Sequence, residues 1–147
     1  MISLLDHYKN GEKLYQKVVE EVYKKYQLTY MEFTILMFLG NNPTFDTAKD
    51  IVKRRHLAKS HVSSSIKSLE EKHLLSATYL NNDHRTIHLV LNEESKNIYL
   101  EGRKRQNLFK EKVLKDFTSE EEREFFKYLD RIDVNILNEL KSVNYGK

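Results

Sequence analysis

Apolar residues along this chain recur at two different periods, and the change from one to the other organises it. From Leu4 to Tyr26, small and apolar residues fall at Leu4, Tyr8, Gly11, Tyr15, Val18, Val22 and Tyr26, three or four apart, with Leu5, Leu14, Val19 and Tyr23 widening the stripe. That is the period of one helix face and predicts a first amphipathic helix with a broad buried side. Thr29-Tyr30-Met31-Glu32 is a capping box that opens a second helix through Phe33, Leu36, Met37 and Leu39, expected to stop at Gly40 before Asn41, Asn42 and Pro43. Asp46 or Thr47 can cap a short third helix to about Arg55, with Ala48, Ile51 and Val52 facing inward. After a turn at His56 to Ala58, a fourth helix spans roughly Lys59 to Lys72. Its inward positions are Val62, Ile66 and Leu69, and Ser60, His61, Ser63, Ser64, Ser65, Lys67 and Ser68 between them are all polar.

The period then becomes two. Leu75, Ala77 and Tyr79, and beyond them Ile87, Leu89 and Leu91, alternate as in strands, with Asn81-Asn82-Asp83-His84 supplying the turn, so a β-hairpin is expected. Asn92 is placed to cap a long fifth helix from Glu93 to about Asp116, in which Ile98, Leu108, Val113 and Leu114 are sparse around a charged stretch. Thr118-Ser119-Glu120-Glu121-Glu122 contains overlapping capping boxes for a sixth helix to about Ser142. Phe125, Leu129, Ile132, Ile136 and Leu140 form its apolar stripe, flanked by Phe126 and Leu137.

Composition narrows the function. A chain of 147 residues suits a single domain, residues 1–147, and 39% hydrophobic residues can furnish its core. Four Gly and one Pro are too few for the many hairpins of an all-β sandwich, so a mainly α fold is the default. The absence of Cys excludes disulfides, Cys-ligated zinc, iron–sulfur clusters and thiol chemistry, and fits a reducing compartment. No apolar run approaches the length of about 18 residues that a bilayer span requires, and an acid at Asp6 interrupts the start, which predicts a cytoplasmic protein with no membrane partner. The net charge is only +3, yet Lys49, Lys53, Arg54, Arg55, Lys59 and Lys67 are opposed by Asp50 alone across their segment.

Helix, turn, helix and hairpin is the order of a winged helix-turn-helix: a three-helix core plus a β-hairpin wing, here between long N- and C-terminal helices. In that fold the second helix of the pair enters the DNA major groove. Such a helix needs an apolar inner face to lock it down and an outer face of short hydrogen-bonding groups and cations to approach base edges. Lys59 to Ser68 meets both demands.

At these residues the chain resembles the bacterial MarR-type transcriptional regulators. The run from Leu57 through Ser63-Ser64-Ser65 to Leu69-Glu70-Glu71-Lys72-His73-Leu74-Leu75 is similar to the family's recognition helix and its Leu-Glu-Lys-x-Gly-Leu exit. Asp83-His84-Arg85, followed by Ile87, Leu89, Leu91 and Asn92, is similar to its Asp-x-Arg wing. His73 stands where the family usually has Gly, which calls for an unusual backbone or a shifted turn there; Asn92 replaces a Thr cap, Ser95 replaces a Gly, and Ala58 lacks the usual N-cap hydroxyl. The resemblance implies a homodimer on a pseudo-palindromic duplex, a winged region at 29–92 and a helical dimerisation region at 1–28 plus 93–147. It also implies a possible small-molecule effector between the first and fifth helices and the winged region, for which the sequence names neither ligand nor residues. Tyr8, Tyr15, Tyr23 and Tyr26 could line such a pocket, or could equally be core or dimer packing.

The candidate DNA contacts are Lys59, Ser60, His61, Ser63, Ser64 and Lys67 on the helix, with Asp83 and Arg85 at the wing. Lys59 and Lys67 suit phosphates, and the Ser and His side chains suit bases. Arg85 suits the narrow minor groove, with Asp83 two residues away to orient it. The alternative for each is a solvated helix face or a surface ion pair. His56, His61, His73, His84 and His88 lie in the winged half, but no Cys and no helical His pair accompany them, so no metal and no cofactor are expected. Gly-rich phosphate loops and nucleophile elbows are absent, so no enzymatic activity is expected either. The competing reading is a winged-helix module that binds protein or RNA rather than duplex DNA.

Overall fold

Caps decide where the periodic segments become helices. In the computed structural model, which describes residues 3–142, Ser3, Thr29 and Thr47 each close a capping box, with Asp6, Glu32 and Asp50 respectively. They open α1 (Leu4–Lys25), α2 (Tyr30–Asn41) and α3 (Ala48–Arg55). There follow α4 (Lys59–Glu71), the antiparallel strands β1 (Leu75–Leu80) and β2 (Asp83–Leu91), a 3₁₀ turn at Glu93–Ser95, α5 (Lys96–Val113) and α6 (Ser119–Ser142). The expected mainly helical fold with one hairpin is therefore present. Two compact units divide the chain, Met1–Phe109 and Lys110–Lys147. The ends of the expected dimerisation region at 1–2 and 143–147 lie outside the described residues.

In the first unit α2 is the centre. Its apolar residues are not confined to one face, and Phe33, Ile35, Leu36, Met37, Phe38 and Leu39 are buried. Around it pack Val19, Val22 and Tyr23 of α1, Ile51 of α3, Val62, Ile66 and Leu69 of α4, Leu75 and Leu89 of the hairpin base, and Ile98 of α5. Only the C-terminal half of α1 is buried, narrower than the stripe from Leu4 predicted; Leu4, Leu5 and Tyr8 are 65 to 76% exposed.

Three local expectations are corrected. Gly40 does not end α2, which runs on to Asn41. Its missing Cβ instead admits the ring of Tyr99, which any side chain there would strike. Asn92 does not cap α5 with its side chain. That side chain spans the hairpin base, its amide donating to the His73 carbonyl at 3.0 Å and its oxygen accepting from the Ser76 hydroxyl at 2.7 Å. The fifth helix also begins through the 3₁₀ turn and ends at Val113, short of Asp116.

In the second unit Thr118 and Glu121 close the expected capping box, with bonds of 2.9 and 3.1 Å. Lys110 pairs with Glu122 at 2.6 Å. No residue of α6 is buried, so the stripe from Phe125 to Leu140 stands 37 to 66% exposed.

Candidate nucleic-acid interface

On α4 the apolar residues Val62, Ile66 and Leu69 are sunk in the core, which turns Lys59, Ser60, His61, Ser63, Ser64 and Lys67 outward, all exposed. Lys59, Ser63 and Lys67 follow one another at four-residue steps, as do Ser60 and Ser64, so these five share one face and His61 sits at its edge. The polar face is narrower than the sequence suggested. Ser65 is buried and Ser68 half-buried, and both therefore belong to the packed side. The Ser64 hydroxyl donates back to the His61 carbonyl at 3.1 Å, which leaves its oxygen free to accept. Ala58 occupies the N-cap position without a side-chain bond, as its missing hydroxyl dictates.

The far end of α4 is clamped. Lys72 donates to Glu32 Oε2 at 2.7 Å and to the Gln27 carbonyl at 3.1 Å, and Glu32 is only 3% exposed. His73 takes the left-handed backbone (φ 61°) that its place in a Gly position implied, and the chain reverses there into β1.

At the hairpin tip Asn81 and Asn82 both have positive φ, 51° and 62°, and Leu80 pairs with Asp83 across them. That two-residue turn matches the natural twist of an antiparallel pair. The hairpin is buried only at its base, through Leu75 and Leu89, with Leu91 half-buried. Farther out, Tyr79 and Ile87 of the expected apolar face are 47 and 48% exposed, so that face packs only near the base; Leu80 near the tip and Val90, opposite Ser76 at the base, are also exposed. The hairpin projects from the body. Arg85 lies on its outer part, exposed, and no other Lys or Arg occurs between Lys72 and Lys96. Asp83, expected to orient Arg85, meets it through the backbone. Its Oδ1 accepts from the Arg85 amide at 2.9 Å, which fixes the tip backbone and leaves the Arg85 head without an ion pair among the described residues.

Sequence reasoning missed two ties. His88 Nδ1 lies 2.8 Å from Asp46 Oδ1, and the Leu89 amide donates to the Asp46 carbonyl at 2.8 Å. Asp46 was visible only as a rival helix cap, a role Thr47 fills. Part of the basic stripe is also engaged: the guanidinium of Arg54 stacks on Phe45 at 3.4 Å from the ring centre, and Arg55 lies over Phe38 at 5.1 Å. Phe45 falls outside any apolar period, so no pattern marked it.

Tyr15, Tyr23 and Tyr26 each meet partners. The Tyr15 hydroxyl accepts from Gln106 at 2.9 Å, Gln106 accepts from Asn41 at 3.1 Å, and Asn41 accepts from the Tyr99 hydroxyl at 3.0 Å. Burial pushes the Tyr15 phenol up from its ordinary value, against the opposing pull of Gln106 and Arg55. Tyr23 packs on Tyr30 and Phe33, and Tyr26 donates to Glu101 at 2.7 Å. Among the described residues, no cluster of three His or carboxylate side chains could hold a metal, and no helix is long and apolar enough to cross a membrane.

Residues 26–85 match the MarR family model, from the turn between α1 and α2 to the wing tip. No curated protein matches the sequence significantly. Solved structures match the fold. A MarR family transcriptional regulator from Listeria monocytogenes complexed with 26mer DNA is 19% identical, with a TM-score of 0.84 over 100% of this chain and 99% of that one. A MarR protein from Peptoclostridium difficile is 20% identical, with a TM-score of 0.79 over 96% of this chain and 92% of its own. Staphylococcus aureus MarR in complex with salicylate and kanamycin is 18% identical, with a TM-score of 0.72 over 92% and 91%. At these identities the likeness is one of fold.

Proposed function

The segment 26–85 is a MarR-family winged segment within a MarR-type winged-helix fold, and from that premise we propose that the protein is a homodimeric, sequence-specific transcriptional regulator of duplex DNA. The observation that carries the proposal is the pairing of an outward polar face on α4, held by a buried apolar face, with a projecting hairpin whose single cation, Arg85, is unpaired among the described residues. In this reading α4 enters the major groove. Lys59 and Lys67 meet phosphates, while Ser60, His61, Ser63 and Ser64 reach base edges. Arg85 enters the adjacent minor groove or meets its backbone, and Asp83 acts on it through the tip backbone. The single-domain organisation follows the same reading, with 29–92 binding DNA and 1–28 plus 93–147 dimerising. The unburied stripe of α6 and the exposed Leu4, Leu5 and Tyr8 support a second copy as their cover. A relative solved with salicylate and kanamycin supports effector control.

The test is Arg85→Ala on selected and random duplexes at two salt concentrations. If Arg85 bonds a phosphate, its removal costs roughly 1 to 3 kcal/mol per half-site and lowers the salt slope by about one per subunit. If it sits in the minor groove, its removal also relaxes preference for A·T-rich flanks. Unchanged affinity in the folded dimer removes the wing from the interface. The exposed Tyr79, Leu80, Ile87 and Val90 favour the second reading, a protein- or RNA-binding module. A partner met through that apolar surface gives a shallow salt slope, unlike a phosphate backbone.

A further inference from the structure

We infer that the Asp46–His88 pair is a clasp that sets the angle of the wing against the helix pair, and so positions Arg85 without itself touching DNA. The inference rests on the reading of the hairpin as a DNA-contacting wing. Asp46 holds two successive residues of β2 at once: its carboxylate takes the His88 ring N–H at 2.8 Å and its carbonyl takes the Leu89 amide at 2.8 Å. Both side chains are largely withdrawn from solvent, at 21 and 25% exposure. The residue after Asp46 is Thr47, the N-cap of α3, so the clasp fastens the hairpin to the start of the helix pair. The other polar ties at the base, from Asn92 to His73 and Ser76, join the hairpin to its own ends and to the exit of α4. They leave the swing of the hairpin relative to α3 to Asp46.

Leverage explains why one hydrogen bond matters. Arg85 lies on β2 between His88, which pairs with Thr78, and Asp83, which pairs with Leu80; the register is irregular there, and the two β1 steps place Arg85 up to about 7 Å farther out at roughly 3.3 Å per residue. A tilt of about 20° at the clasp therefore moves the Arg85 backbone by about 2 Å, more than the tolerance of a hydrogen bond. The hairpin beyond Leu89 has no buried side chain to resist that tilt.

The test is a double-mutant cycle with Arg85, read as dissociation constants on the tightest duplex recovered from a random-sequence pool, with folding followed by circular dichroism. His88→Ala is expected to weaken binding about fivefold, in keeping with the net worth of one hydrogen bond. Asp46→Ala, which keeps the carbonyl bond to Leu89, is expected to do the same and serves if His88→Ala folds poorly. His88→Asn places an amide N–H where Nδ1 stood and is expected to restore affinity to within about twofold. In an Arg85→Ala background, His88→Ala is expected to cost less than about twofold, because a clasp that acts through Arg85 has nothing left to position. Equal losses in both backgrounds, or unchanged affinity of folded His88→Ala and Asp46→Ala, overturn the clasp while leaving the wing in place. Wild-type affinity of Arg85→Ala itself overturns the wing reading and the clasp with it.

Discussion

Replacing Lys72 by Met should destabilise the fold far more than replacing its partner Glu32 by Gln. Glu32 is 3% exposed, and its two carboxylate oxygens face different donors: the Thr29 amide at 3.3 Å and the Lys72 ammonium at 2.7 Å. Lys72→Met keeps the aliphatic stem but strands a buried carboxylate on one long hydrogen bond. Removing one partner of a buried pair costs about 3 to 5 kcal/mol; because the Lys72 side chain is 37% exposed, water can partly replace it, and about 2 to 3 kcal/mol is the expected loss. Glu32→Gln retains the capping geometry with Thr29 and leaves an ammonium that water reaches, so about 1 kcal/mol is expected. Urea unfolding followed by circular dichroism measures both, with the slope checked for constancy. A Lys72→Met loss below about 0.5 kcal/mol, or a Glu32→Gln loss equal to it, would show that Glu32 is solvated and that the end of α4 is held by packing alone.

Gly40→Ala gains helix propensity of about 1 kcal/mol yet should lower stability by about 1 to 3 kcal/mol net, because the new Cβ overlaps the Tyr99 ring; thermal unfolding checks the sign. Burial holds the Tyr30 phenol up at about 12, above its ordinary 10.0. The folded state keeps that proton longer than the unfolded chain, so the stability it contributes is whole below pH 10.0 and is lost as pH rises toward about 12. Tyr30→Phe should flatten that alkaline decline, followed by tyrosinate absorbance and ellipticity together. Ile132→Asp places a charge in the exposed α6 stripe and should shift the mass in solution from dimer toward monomer and weaken DNA binding with it, measured by sedimentation and titration.

Much of this architecture was readable from periodicity and caps because both are local. The Thr29–Glu32 and Thr118–Glu121 boxes and the inward triplet Val62, Ile66 and Leu69 all follow from neighbours within four residues, whereas the unusual backbone at His73 was signalled only by the family resemblance. What local pattern could not supply was partnership across the chain. Gly40 looks like a helix stop until Tyr99, 59 positions later, is seen to need its space. Asn92 looks like a cap until its side chain is seen to donate to the His73 carbonyl and accept from the Ser76 hydroxyl. The outer face of α4 could be read from the sequence, but the tilt of the wing could not, since its ties join Asp46 to His88, 42 positions away, and to the next residue, Leu89. Tyr79 and Ile87 alternate as a buried face would, yet alternation reports only which residues share a side, not how far the core extends beneath them.

Sequence-specific recognition of duplex DNA by two copies of α4 and the wing is tested most directly by selecting bound duplexes from a random-sequence pool with the purified protein. The expected result is enrichment of a pseudo-palindrome whose half-sites are centred about one helical turn, roughly 10 base pairs, apart, with A·T-rich steps where the wings fall. A pool that stays unenriched after repeated rounds, or that yields a single asymmetric site, would contradict it.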